Sequence, residues 1–84
     1  KAGLLTKAGR AIEKHGNRPN SAFPKPGGNV FAKNQLGQQV LEDIMTNPNS
    51  VTKRNKFGGV DIIAPDGKGV TFYKDNTFRG FLEP

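Results

Sequence analysis

The sequence predicts an α+β domain in which two N-terminal helices pack on a four-stranded antiparallel meander. Three observations carry this. Apolar residues recur at helical spacing in the first half, the period changes to two after residue 50, and short turn signals divide the second half into strands.

Leu4, Leu5, Ala8, Ala11 and Ile12 form one stripe and place a first helix over residues 4–15. Gly3 and Thr6 stand near its start, and Gly16 suits the left-handed residue that ends many helices. Residues 16–29, with Pro19, Pro24, Pro26, Gly27 and Gly28, read as a long loop pinned by Phe23. A second helix is expected over about 30–46, with Leu36, Val40, Leu41, Ile44 and Met45 on its inner face. Gly37 weakens it by roughly 1 kcal/mol relative to alanine, and Asn47-Pro48-Asn49 stops it.

Residues 51–56, 59–64, 70–74 and 77–82 read as strands, with turns at Pro65-Asp66-Gly67 and Lys74-Asp75-Asn76. Alternation turns Val60, Ile62, Val70, Phe72 and Phe78 toward the helices. It leaves Asp61, Thr71, Tyr73, Arg79 and Phe81 on the open face, a surface able to receive RNA.

Composition sets bounds. A chain of 84 residues holds one domain, burying about 60–65% of the surface its unfolded form exposes. With 33% hydrophobic residues and a mean hydropathy of -0.62, the core is small. The absence of cysteine removes disulfides and thiolate zinc sites. No apolar run approaches the roughly 18 residues of a membrane span. The opening Lys-Ala-Gly, without initiator methionine or secretory signal, reads as a fragment of something larger. The net charge of +6 is concentrated: residues 1–33 carry +6, residues 34–50 carry −2 and residues 51–84 carry +2. A basic face of this kind attracts polyphosphates or an acidic protein.

The inventory narrows the chemistry. No set of histidines or carboxylates stands at metal-ligand spacing, and no cofactor is expected. A Ser–His–Asp hydrolase has the residue types but no nucleophile elbow, and no phosphate-loop pattern occurs. Metal-free RNA cleavage asks less, because the attacking group is the substrate's own 2′-hydroxyl. One histidine can move the proton, while lysine or arginine stabilises charge on phosphate. Lys14-His15-Gly16-Asn17-Arg18 supplies these types within five residues, beside a loop. By position alone, a histidine in a last helical turn also serves as a cap.

Gly9-Arg10-Ala11-Ile12-Glu13-Lys14-His15-Gly16, Arg18-Pro19, Ser21-Ala22-Phe23-Pro24, the helix from Gly37 to Ile44, Phe57-Gly58-Gly59-Val60-Asp61 and the ending Gly80-Phe81-Leu82-Glu83-Pro84 carry a resemblance. Together they resemble the C-terminal toxin domains of contact-dependent growth inhibition and related polymorphic toxins. The order of elements is similar to the barnase/EndoU/colicin/RelE group, closest in outline to colicin D. The resemblance implies metal-independent cleavage of tRNA, often in the anticodon loop, leaving a 2′,3′-cyclic phosphate. It implies a cognate immunity protein, a domain monomeric when alone, and a secreted or cell-surface toxin of a Gram-negative bacterium acting in the target-cell cytoplasm. It carries a catalytic Lys-His pair onto Lys14-His15. A Ser-Gly-aromatic stretch of the last strand falls on Arg79-Gly80-Phe81, where arginine replaces serine.

The expected site is therefore His15 as general base or acid, with Lys14, Arg18 and Arg79 holding phosphate and Thr71 positioning. Arg10, Thr52, Arg54 and Tyr73 are expected to contact substrate, although the basic first strand also reads as a charged edge that discourages aggregation. Alternatives are a non-catalytic RNA-binding module, a metal-dependent DNase toxin, and a basic surface that only docks an acidic protein.

Overall fold

The computed structural model describes residues 4–84, so the expected placement of Gly3 lies outside them. Two helices, α1 (Lys7–Gly16) and α2 (Val30–Thr46), precede four strands, β1 (Val51–Arg54), β2 (Val60–Ile63), β3 (Gly69–Phe72) and β4 (Phe78–Leu82). The strands pair antiparallel in the order β1-β2-β3-β4, the meander that the turn spacing predicts.

The helix α1 begins three residues later than the stripe suggests. Thr6 is its N-cap, its Oγ1 accepting from Gly9 N at 2.9 Å. Asn34 of α2 fixes this start by accepting from Thr6 N at 2.8 Å and donating to Leu4 O at 3.1 Å. Leu4 thus precedes the helix and is exposed. At the other end Gly16 is helical, and the cap is Asn17 with an ordinary φ of -89°. Glycine is needed at 16 for room, because a Cβ there would strike the carbonyl oxygen of Pro24.

The same reasoning applies where the helices cross. A Cβ on Gly37 would run into the backbone of Ala8 and Gly9, and one on Gly9 would meet Asn34. The glycine that weakens α2 in isolation is what lets α1 approach it. Val40 and Ile44 of α2 are buried, but Met45, one residue further around the helix, is exposed. Its expected place on the inner face is corrected accordingly. The core joins Ile12, Phe23, Val40, Ile44, Ala64, Val70 and Phe81, with Ile12 and Val70 fully buried.

The expected sorting of the sheet faces fails at one point. Val70 pairs with Phe81 and Thr71 with Gly80, yet Phe72 pairs with Phe78. Arg79 is the extra residue of a β-bulge. The bulge resets the alternation, so Phe78 and Phe81 both face the helices and Phe81 is buried in the core. Thr71 stays on the other face, but it is only 2% exposed because the β1–β2 loop folds over it.

Candidate active site

His15 lies in the last turn of α1, 9% exposed, with its ring 5.4 Å from that of Phe23 and 6.2 Å from that of Phe81. Its Nδ1 is 2.9 Å from Oε2 of Glu83, just past β4. Glu83 is itself held: Ser21 Oγ donates to Oε2 at 3.1 Å, and the Ala22 N–H donates to Oε1 at 3.4 Å. Burial alone pushes the Glu83 carboxyl up. Hydrogen bonds from His15, Ser21 and the Ala22 N–H outweigh that and hold it below the ordinary glutamate value.

An ionised carboxylate only accepts, so Nδ1 carries the proton of this hydrogen bond. Arg18 Nη1 is 3.3 Å from the same nitrogen, a close approach and not a second hydrogen bond, since both atoms are donors. Nε2 has no partner among the described residues. No buried polar side-chain atom there is unsatisfied, so Nε2 meets solvent. In the neutral ring Nε2 is the basic nitrogen, an arrangement in which a carboxylate fixes the tautomer and steadies the imidazolium.

His15 lines an open cleft of about 520 Å³ between α1 and β4. Lys7, Arg10 and Lys14 line it from the helix and Arg79 from the bulge; no carboxylate does. None of these four cations is ion-paired among the described residues, where the ion pairs are His15–Glu83, Lys33–Glu13 and Lys68–Asp66. The spacing of Lys7, Arg10 and Lys14 is the helical one that puts i, i+3 and i+7 on one face. The cleft therefore presents a cationic wall, of the charge a polyanion would need, with one oriented imidazole in it.

Of the residues expected from sequence, His15, Lys14, Arg10, Arg79, Thr71 and Tyr73 meet in this cleft. Thr71 is nevertheless occupied: its hydroxyl is shared between Asp61 and Asn55 Nδ2, the latter at 3.2 Å. Arg18 is outside, lining a separate hollow with Ser21, Glu83 and Pro84. Thr52 and Arg54 are exposed on β1, at the sheet edge opposite β4, and the structure does not bring them to the cleft. Glu83 and Ser21 are functional candidates that sequence reasoning missed. The available signal was a lone carboxylate in the ending Gly80–Pro84.

Over residues 1–83 the chain matches the family model of the CdiA C-terminal tRNase toxin domain. Among solved structures it is similar to the toxic C-terminal tip of CdiA from Pseudomonas aeruginosa, determined in complex with an immune protein. The two share 27% identity over 98% of this chain and 91% of that one, with a TM-score of 0.77. No curated protein sequence matches the chain. Fold, cationic cleft and family match agree: the chain belongs to the CdiA C-terminal tRNase toxin domains, a family of bacterial toxin endoribonucleases.

Proposed function

We propose that the chain, residues 1–84 acting as one nuclease domain, cuts tRNA in the anticodon loop without a metal ion and leaves a 2′,3′-cyclic phosphate. The observation that carries this reading is the His15–Glu83 pair, which leaves Nε2 without a partner among the described residues, beside a cleft lined by cations that have no ion-pair partner among them. Nε2 takes the proton of the substrate 2′-hydroxyl, and the 2′ oxygen forms a bond to phosphorus. The bond from phosphorus to the 5′ oxygen breaks, and that oxygen takes a proton from water. Lys14 stabilises the charge on the pentavalent phosphate, and Lys7, Arg10 and Arg79 line the path of the neighbouring nucleotides.

A cognate immunity protein, a partner that the Pseudomonas aeruginosa tip has in its own complex, would need an acidic face to cover this cationic cleft. Delivery from a Gram-negative neighbour, with action in the cytoplasm of the target cell, accords with the family. The test is incubation with tRNA in excess EDTA, with fragment ends resolved by mass. Discrete fragments ending in a cyclic phosphate are expected, abolished by His15→Ala and by a 2′-deoxy nucleotide at the cut. Cleavage that stops with EDTA or tolerates the deoxy substitution overturns the mechanism. Salt-sensitive binding of tRNA that stays intact would make this a binding module.

A further inference from the structure

The proposed cleavage chemistry leaves one group of residues without a role. Phe57, at the tip of the β1–β2 loop, is 44% exposed although a chain this small has few aromatic rings to spare for solvent. Its position is tightly fixed. Asn55 Oδ1 accepts from Phe57 N at 2.9 Å and Gly59 N at 3.0 Å. Asn55 Nδ2 donates to Asp61 Oδ1 at 3.0 Å and to Phe72 O at 3.0 Å. Gly58 turns the chain with φ of +81°, and Gly59 lies so close to the Phe72 carbonyl that no Cβ fits. A loop locked this firmly presents its ring in one place.

That place is beside Arg79. The guanidinium carbon lies 4.0 Å from the Phe57 ring centroid and 6.0 Å from that of Tyr73, which is 45% exposed. Asp61 nearby keeps its carboxyl below the ordinary value. Burial raises it, but hydrogen bonds from Thr71 and Asn55 and the charges of Lys53 and Arg79 outweigh burial. One face of Arg79 is therefore covered by Phe57, while the ring of Tyr73 is only loosely covered.

The group also continues the cleft, because Tyr73 and Arg79 line it. Lys7 lines the cleft with Tyr73 and Arg79 near the start of β4, whereas His15 packs on Phe81 and meets Glu83 at the end of that strand, so the aromatic group stands toward the Lys7 end of α1 and His15 at the other. Eight residues of helix separate those ends by about 12 Å. A single strand with its phosphate at His15 can run along the α1 cations to this group.

We infer that Tyr73, Phe57 and Arg79 form a stacking subsite for an unpaired nucleobase flanking the cut. The base lies on Tyr73, and Arg79, held flat by Phe57, covers it. Aromatic faces joined to a cationic groove are how proteins hold unpaired bases, and a guanidinium stacks as readily as it pairs. The inference rests on the RNA-cutting reading for the path of the strand, but not for the stacking itself.

The test uses anticodon stem-loops with 2-aminopurine placed at each loop position in turn, bound to the His15→Ala protein so that no cutting occurs. One position is expected to be quenched on binding. Tyr73→Leu and Phe57→Leu in that background should remove the quenching and weaken binding about 5- to 160-fold, and Phe57→Trp should restore it. With His15 intact, Phe57→Leu should raise KM and leave kcat within two-fold. Thermal melting shows whether each variant is folded. Quenching and affinity unchanged in both folded leucine variants overturns the subsite. So does a loss confined to kcat, which makes Phe57 only a support for Arg79, or a loss confined to binding an immunity protein. Quenching at one position, lost in the leucine variants, in a protein that never cuts tRNA upholds the subsite and sinks the cleavage reading.

Discussion

Replacing Glu83 tests whether the carboxylate orients the imidazole. A hydrogen bond to a charged partner contributes about 1.5–3 kcal/mol and a neutral one about 0.5–1.5 kcal/mol. Glutamine keeps the shape and still accepts from Nδ1 through its amide oxygen, so Glu83→Gln forfeits the difference, about 1–1.5 kcal/mol. At about 1.4 kcal/mol per factor of ten, that lowers kcat about 5- to 13-fold. Glu83→Ala forfeits the whole bond and lowers it about 13- to 160-fold. Glu83 is 29% exposed, so solvent screening places both effects toward the lower ends. The loss belongs in kcat, because the charge that Glu83 faces grows as His15 takes its proton and the cleft cations are untouched. Single-turnover cleavage of tRNA at saturating enzyme separates this from binding. Glutamine and alanine variants that both cut within two-fold of wild type would refute the role, as would a change in KM alone.

Stability responds to the same carboxylate. Its folded pKa is depressed, so its contribution is complete above the ordinary glutamate value and is lost as pH falls through the lower folded value. Urea melts from pH 6 downward should steepen their decline below about pH 4.5 in wild type and less so in Glu83→Gln. Gly37→Ala gains roughly 1 kcal/mol of helix propensity but sets a Cβ against the backbone of Ala8 and Gly9. A net loss of about 1–3 kcal/mol is expected, read as a melting temperature lower by about 4–8 °C per kcal/mol. Lys14→Ala should weaken tRNA binding and reduce the slope of log affinity against log salt by about 0.7, the contribution of one phosphate contact on a single strand. Arg54→Ala, on the far sheet edge, should leave the cleavage rate within two-fold of wild type.

Local pattern sufficed for much of this molecule. The stripe of Ala8, Ala11 and Ile12 and the period-two run after residue 50 specify helix and strand through neighbours a few residues apart. The cations of the cleft were legible for the same reason, since Arg10 and Lys14 share the helix of His15. The bulge was not, because one extra residue in β4 shows only against its partner strand, and without it Phe81 was turned to the wrong face. Glu83 reaches His15 across 68 positions, a contact that no local period announces. Thr52 and Arg54 were grouped with the site by charge, which carries no information about which sheet edge faces the helix.

The bulge has a consequence for separating harm from shape. Strip Arg79 from β4 and each remaining pair, Val70 with Phe81, Thr71 with Gly80, Phe72 with Phe78, closes into an unbroken ladder with its partners unchanged. The residue that brings charge from the sheet to the cleft is thus one the ladder does not need. A deletion of a single codon should yield a folded protein that keeps His15 and the α1 cations but lacks the sheet's charge, suited to asking which partners recognise the toxin's surface through that charge.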